Sequence, residues 1–521
     1  MRNIAVIFDN ALEVVPFALM SINDNVRVIR DFRKLKLPNG ILTLGYGDAI
    51  DSFRNLNYQF NVSQKRLEVL SALTIEYSKG DQPKKWRFRK QEIIGKYLPG
   101  SFLASLKKYE NGEISWSTFD KKLFQVKTEL LTAVEKTYDE LVLNYANSCD
   151  YRMSWLETEF KIDNYFLAVQ YNGVKVDREK IAILLSNLNF QKYSALLYLE
   201  KNFNLDISSG YLSDDKIDKL ILNDYQNIEK TEELTDLIQI QNTCDKRIEA
   251  ITTVKECRLD YANLIKHYSL NESQNIYPQY EIIGSSSGRI FVSSPGTQYL
   301  KKSKRDIFLS QDGDELIYFD FRNYEPGIAA GLSNDKKFIE YYNSGDMYLK
   351  IATDVYNAPE KRKEVKITVL ASLYGMSRES LQKYFAKNDS FVPDGVLEVL
   401  ESFGTFQSWK NDILTKANED KIVVDRIYTR KFLNTKEWKI KTSALNHIIQ
   451  STGSRILKRC IIEIIPIDDL KILIPMHDAL LCEVKCDNSD EIKNKVVETM
   501  ESVFKDEVVN TVSKVVVSDF N

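Results

Sequence analysis

The chain has 521 residues, 43% hydrophobic and 28% charged, with a net charge of −3. That length exceeds one core and implies three or four domains, and the balance excludes a uniformly basic protein while allowing a local basic groove. No apolar run is long enough to span a bilayer and no signal peptide is visible, so a cytoplasmic setting without membrane partners is expected. The six cysteines lack the paired short spacings of a zinc site; reduced thiols are expected even for the closest pair, Cys482 and Cys486.

Residues 1–75 alternate short β-prone runs (Ile4–Phe8, Val26–Ile29, Gly40–Leu44) with turn-like loops, which predicts a small α/β layer. In Lys84–Lys90 a strand would put Trp86 and Phe88 on one face with Lys84 and Lys90, and Lys85, Arg87 and Arg89 on the other. Such a mixture suits phosphates and unpaired bases, or a solvated surface strand. Thr158–Asn172 and Glu179–Asn202 have apolar residues at helical spacing and are separated by an Asn172-Gly173 turn. A further helical block is read over Ser213–His267. Long polar helices of this kind grip a large ligand or simply bundle.

The loop Gly284–Pro295 is rich in small residues and presents Arg289, and the basic run Lys301–Arg305 follows it. Backbone amides and an arginine there would approach a polyanion closely. Leu316–Phe319 reads as a buried strand that ends at Asp320, with Pro326 in the first turn of a helix. A carboxylate at that junction is either a divalent-metal ligand or an N-cap.

Arg362, Lys366, Leu370 and Tyr374 recur every fourth residue, so one stripe of a helix carries two cations, an apolar residue and an aromatic. Phosphates would meet the cations, with sugar and base toward Leu370 and Tyr374; a solvated basic face is the plainer alternative. Leu470–Met476 and Ala479–Val484 read as strands joined by a His477-Asp478 turn. An aspartate in such a turn is commonplace, but paired with Asp320 it would bracket two magnesium ions about 4 Å apart.

These stretches, in this order, resemble family A DNA polymerases, over roughly Glu157–Asn521. The Gly288-Arg289 loop with Pro295 and Gln298 resembles the motif ahead of the first catalytic aspartate, and Asn446–Gly453 resembles the helix ahead of the last motif. The resemblance implies an α+β right-hand fold with a small α/β domain in front. Its parts would be a degenerate 3′–5′ exonuclease-like domain (1–150), a helical thumb (151–280), a palm (281–335 and 442–521) and helical fingers (336–441). It implies a DNA-templated DNA polymerase acting as a monomer on primer-template DNA and dNTPs, with two Mg2+ ions, in a phage or plasmid setting and open to replication accessory proteins.

By the same likeness Asp320, Asp478 and the Phe321 carbonyl would hold the metals. Arg362 and Lys366 would bind the triphosphate, Lys366 protonating the pyrophosphate. Tyr374 and Glu325 would close over the sugar, Glu325 excluding a 2′-hydroxyl. Arg289, Gln450 and His477 would read the minor groove, while Gln298 and Asn446 contact template or primer. Three positions depart from the pattern. Leu370 replaces an aromatic, Tyr348 stands where a phosphate-binding histidine is common, and Ala479 follows His-Asp where an acidic residue is usual.

Two other functions compete, a single-subunit RNA polymerase and a catalytically decayed DNA-binding scaffold. Glu325 argues against the first, and the joint presence of Asp320, Asp478, Arg362 and Lys366 against the second. Proofreading is not expected. Asp9 and Glu13 lie four residues apart, about 13 Å along a strand, too far to share a metal pair. In Tyr145–Asp150, Cys149 takes the place where the exonuclease helix needs an aspartate.

Overall fold

The computed structural model describes residues 2–8, 17–23, 25–29, 37–39, 41–44, 54, 64–74, 93–146, 150–203, 246–268, 274–311, 313–385, 391–432 and 435–519. Asp9, Glu13, Lys84–Lys90, Cys149 and most of the block read before His267 lie outside them. The two predicted long helices fall within Asp150–Asn172 and Arg178–Phe203. Gly173, at the break between them, takes φ +80°, and a Cβ there would meet the Tyr277 ring at 2.7 Å.

Five N-terminal strands form a mixed sheet in the order Asn25–Ile29, Phe17–Ile22, Ile4–Phe8, Ile41–Leu44, Gln64–Arg66. The first three pair antiparallel and the last two join in parallel. Ile4–Phe8 is central and wholly buried, which is why its sequence is uninterruptedly apolar. Its side chains still alternate. Ile4, Val6 and Phe8 pack into the main core with Phe102 and Phe119, whereas Ala5 and Ile7 pack with Leu167 on the other side.

Leu167 belongs to the helix Asp150–Asn172, which the sequence assigns to the thumb and which also covers one face of this sheet. The edge strand Gln64–Arg66 is clasped to it. Gln64 N–H donates to Asn164 Oδ1 at 3.1 Å, Asn164 Nδ2 donates to the Gln64 carbonyl at 2.8 Å, and Arg66 pairs with Asp163 at 2.8 Å. Burial pushes the Asp163 carboxyl up to about 6 despite the Arg66 guanidinium.

The second sheet has four antiparallel strands in the order Leu470–Met476, Ala479–Lys485, Asp314–Phe321, Val515–Asp519. The helix Glu437–Ile464 runs through the centre of the molecule, against Asp150–Asn172, Tyr324–Ser333, Gly404–Asp420 and Ser489–Glu507. Helices from Lys336 to Asp420 build the wall facing the four-stranded sheet.

The central helix carries two buried cations, each matched. Arg455 meets Asp425 at 2.9 Å and also Glu507, and Lys458 meets Glu159 at 2.8 Å. Lys458 and Glu159 are 1% and 0% exposed, and burial lowers the lysine's pKa against the pull of the glutamate. Removing one partner strands a charge in the core. Glu159→Ala is expected to cost about 3–5 kcal/mol in denaturant unfolding, and the double variant Glu159→Leu/Lys458→Met to recover most of that.

Candidate active site

Met476 and Ala479 pair across a two-residue turn in which His477 takes φ +52°, the positive angle that lets a tight turn follow the twist of its strands. Asp478 is therefore pinned between two rigid strands. On the neighbouring strand Asp320 lies opposite Ala479, and the Phe321 N–H donates to the Asp478 carbonyl at 3.2 Å. Two carboxylates thus share one end of the sheet.

Neither carboxylate has an ion pair among the described residues. Burial raises both, and the Asp320 charge helps push Asp478 up to about 7; Lys302, Lys366 and Arg305 partly offset the rise at Asp320. Such a deficit of positive charge fits a divalent ion. No group of three or more His, Cys, Asp or Glu gathers among the described residues, so an ion here would keep water or substrate ligands, as magnesium commonly does.

The expected helix runs Arg362–Leu373, with Tyr374 as its C-cap and Gly375 ending it at φ +83°. Arg362, Lys366, Leu370 and Tyr374 line one cleft of about 450 Å³ together with Asp320 and Asp478. Arg362 Nε is held by Asp346 Oδ2 at 2.7 Å, and the other oxygen of Asp346 caps the helix Met347–Tyr356. Lys366 has no ion pair among the described residues.

Tyr348 is 2% exposed, with its ring centre 5.7 Å from Arg362 Cζ and 6.0 Å from Lys366 Nζ. In the sequence it stands where a phosphate-binding histidine is common in the family; the structure puts an aromatic surface beneath the two cations.

The model of DNA polymerase family A matches residues 190–518. The chain belongs to DNA polymerase family A. Its polymerase I relatives include that of Caldicellulosiruptor bescii, 25% identical over 443 residues, covering 76% of this chain and 49% of the relative. That of Aquifex aeolicus is 22% identical over 328 residues, 59% of this chain and 53% of the relative. The chain thus spans about half the length of these curated relatives. The POL domain of Pol1 from M. smegmatis, solved in complex with DNA primer-template and dNTP, superposes with a TM-score of 0.78 at 18% identity, covering 100% of this chain and 95% of that one. The right-hand polymerase fold expected from the motifs is the fold of this chain.

In this family A site, Glu325 is held from two sides. Arg289 Nη2 pairs with its Oε1 at 2.7 Å and Tyr374 donates its hydroxyl hydrogen to Oε2. Gln450 and His477 also line the cleft. Partial burial and the guanidiniums of Arg289 and Arg305 lower the His477 pKa. Asn446 lies one helical turn from Gln450, outside the cleft lining, and its Oδ1 is buried without a hydrogen-bond partner among the described residues.

Gln298 departs from the expectation of a DNA contact. It is 8% exposed, and its amide accepts from Val292 N–H at 3.1 Å and donates to the carbonyls of Ile290 (3.0 Å) and Pro475 (2.7 Å). With both donor hydrogens committed, it braces the Arg289 loop against the strand leading to Asp478. Sequence reasoning missed the bonds from Arg289 and Tyr374 to Glu325, across separations of 36 and 49 residues, and the Asp346 contact to Arg362. No periodicity signals such pairs. Val516 also lines the cleft, from the last strand.

Proposed function

We propose that the chain is a DNA-templated DNA polymerase that adds deoxynucleotides to a primer 3′-hydroxyl. The observation that carries this reading is the cleft in which Asp320 and Asp478 face Arg362 and Lys366. Two magnesium ions held by Asp320, Asp478 and the Phe321 carbonyl would supply the Lewis acidity that phosphoryl transfer needs. Arg362 leaves Asp346 to take the triphosphate, and Lys366 neutralises it and gives a proton to the departing pyrophosphate. The ring of Tyr348 steadies both cations. Arg289, Gln450 and His477 lie against the new base pair and read acceptors that every correct pair presents.

The thumb is 151–280, the palm 281–335 with 442–521, and the fingers 336–441. The N-terminal residues 1–150 act as a support without proofreading activity. The test is extension of a labelled primer on a DNA template with magnesium, comparing deoxy- with ribonucleotides and including a lane without nucleotides. Deoxynucleotide extension without primer shortening is expected; no extension by the wild type would sink the reading.

Glu325 closes the sugar side, which favours a DNA polymerase over an RNA polymerase. Removing its carboxylate opens space for a 2′-hydroxyl and frees Arg289 and Tyr374. Glu325→Ala is expected to narrow the deoxy-over-ribo preference by about a hundredfold, read as the ratio of kcat/KM values. An unchanged ratio would remove Glu325 from the sugar gate.

A further inference from the structure

Behind the Arg289 loop lies a polar group that no step above uses. Tyr428, on the short hairpin joining Ile422–Val424 to Thr429–Lys431, is 4% exposed. Its hydroxyl donates to Glu159 Oε1 at 2.5 Å and receives Lys458 Nζ at 3.0 Å and Trp155 Nε1 at 3.3 Å. Trp155 also donates to Glu159 at 2.8 Å, and the Tyr428 carbonyl is met by His447 Nε2 at 3.2 Å. The ring is fixed from three elements: the helix Asp150–Asn172, its own hairpin and the central helix.

Gly288 rests on that ring. A Cβ at Gly288 would lie 2.1 Å from Tyr428 Cζ, and the residue takes φ +73°. Both facts restrict the position to glycine. The next residue is Arg289, whose guanidinium holds Glu325.

From this geometry we infer that Tyr428, clamped by the buried Glu159–Lys458 pair, is a positioning residue for sugar selection. The ring sets the height of Gly288, Gly288 sets the reach of Arg289, and Arg289 sets the orientation of Glu325. Selection against ribonucleotides then depends on a tyrosine that touches no substrate. This deepens the polymerase reading and rests on it.

The experiment measures kcat/KM for deoxy- and ribonucleotides with melting temperatures alongside, for wild type, Gly288→Ala, Tyr428→Leu, Tyr428→Phe and each of the first two combined with Arg289→Ala. Gly288→Ala and Tyr428→Leu are expected to reduce the deoxy-over-ribo ratio about tenfold, because a displacement of the order of 1 Å is enough to misalign a selecting group. Tyr428→Phe keeps the ring, so its ratio stays within about twofold of wild type while its melting temperature falls through the loss of the buried hydroxyl. On the Arg289→Ala background neither Gly288→Ala nor Tyr428→Leu lowers the ratio further.

Melting temperatures that fall while all ratios stay at the wild-type value would overturn the inference. So would ratio losses that add fully to that of Arg289→Ala. Should Gly288→Ala fail to fold, the contrast between the leucine and phenylalanine variants decides alone. A wild type that extends no primer removes the polymerase reading, and this inference with it, and is distinct from a wild type that extends while the variants select normally.

Discussion

Asp320→Asn is expected to lower primer extension at least about a thousandfold while leaving the protein folded, because on the polymerase reading it removes one of the two carboxylates that would hold the metals. The same change should relieve the metal-free protein. Asp320 and Asp478 sit together without an ion pair among the described residues, and part of the rise of Asp478 to about 7 comes from the charge of Asp320. In the unfolded chain Asp478 loses its proton near the ordinary carboxylate value of about 4, whereas in the fold it holds it to about 7. Between those values the folded state binds the extra proton, so this group's contribution to stability falls as pH rises through the window. Thermal melts in chelator are expected to show that decline, magnesium to reverse it and Asp478→Asn to flatten it. A melting temperature at pH 8 that ignores magnesium in the wild type would count against metal binding by this pair.

Lys366→Ala should be nearly as damaging, about a hundred- to a thousandfold in kcat. Arg362 starts out engaged by Asp346, whereas Lys366 has no ion pair among the described residues and its charge already reaches Asp320. On the polymerase reading it would meet the triphosphate, where charge builds on the leaving group. Lys366→Arg keeps the cation but not a proton that is readily given up, so it should recover KM and not kcat. Recovery of both would make the residue a phosphate anchor only. Single-turnover extension separates the two outcomes.

The candidate site was legible where the chain places its polar groups on regular elements. The stripe from Arg362 to Tyr374 follows from helical spacing, and Asp478 from two apolar runs flanking a polar pair. Asp320 and Asp478, distant in sequence, were linked by strand ends alone, and the observed register sets Asp320 opposite Ala479. What stayed hidden depends on packing between distant elements. Gln298 was read as a template or primer contact through the family likeness, and its burial is not visible in the sequence. Tyr348 stood out only as a departure from a common histidine, because only the fold shows its ring beneath two cations. The double anchoring of Glu325 has no local signature, since Arg289 and Tyr374 lie far from it along the chain.

The clasp between the strand Gln64–Arg66 and the helix Asp150–Asn172 bears on how such a protein can be shortened. A chain cut at the boundary near residue 150 would leave Asp163 without its guanidinium, Asn164 without its backbone partner and Leu167 facing water. The same helix carries Glu159, the anchor of Tyr428. A lineage that lost the chemistry of its N-terminal sheet would still be obliged to keep the sheet, because discarding it unseats the helix on which the catalytic half is built. The front of the chain would then persist as a foundation, intolerant of deletion.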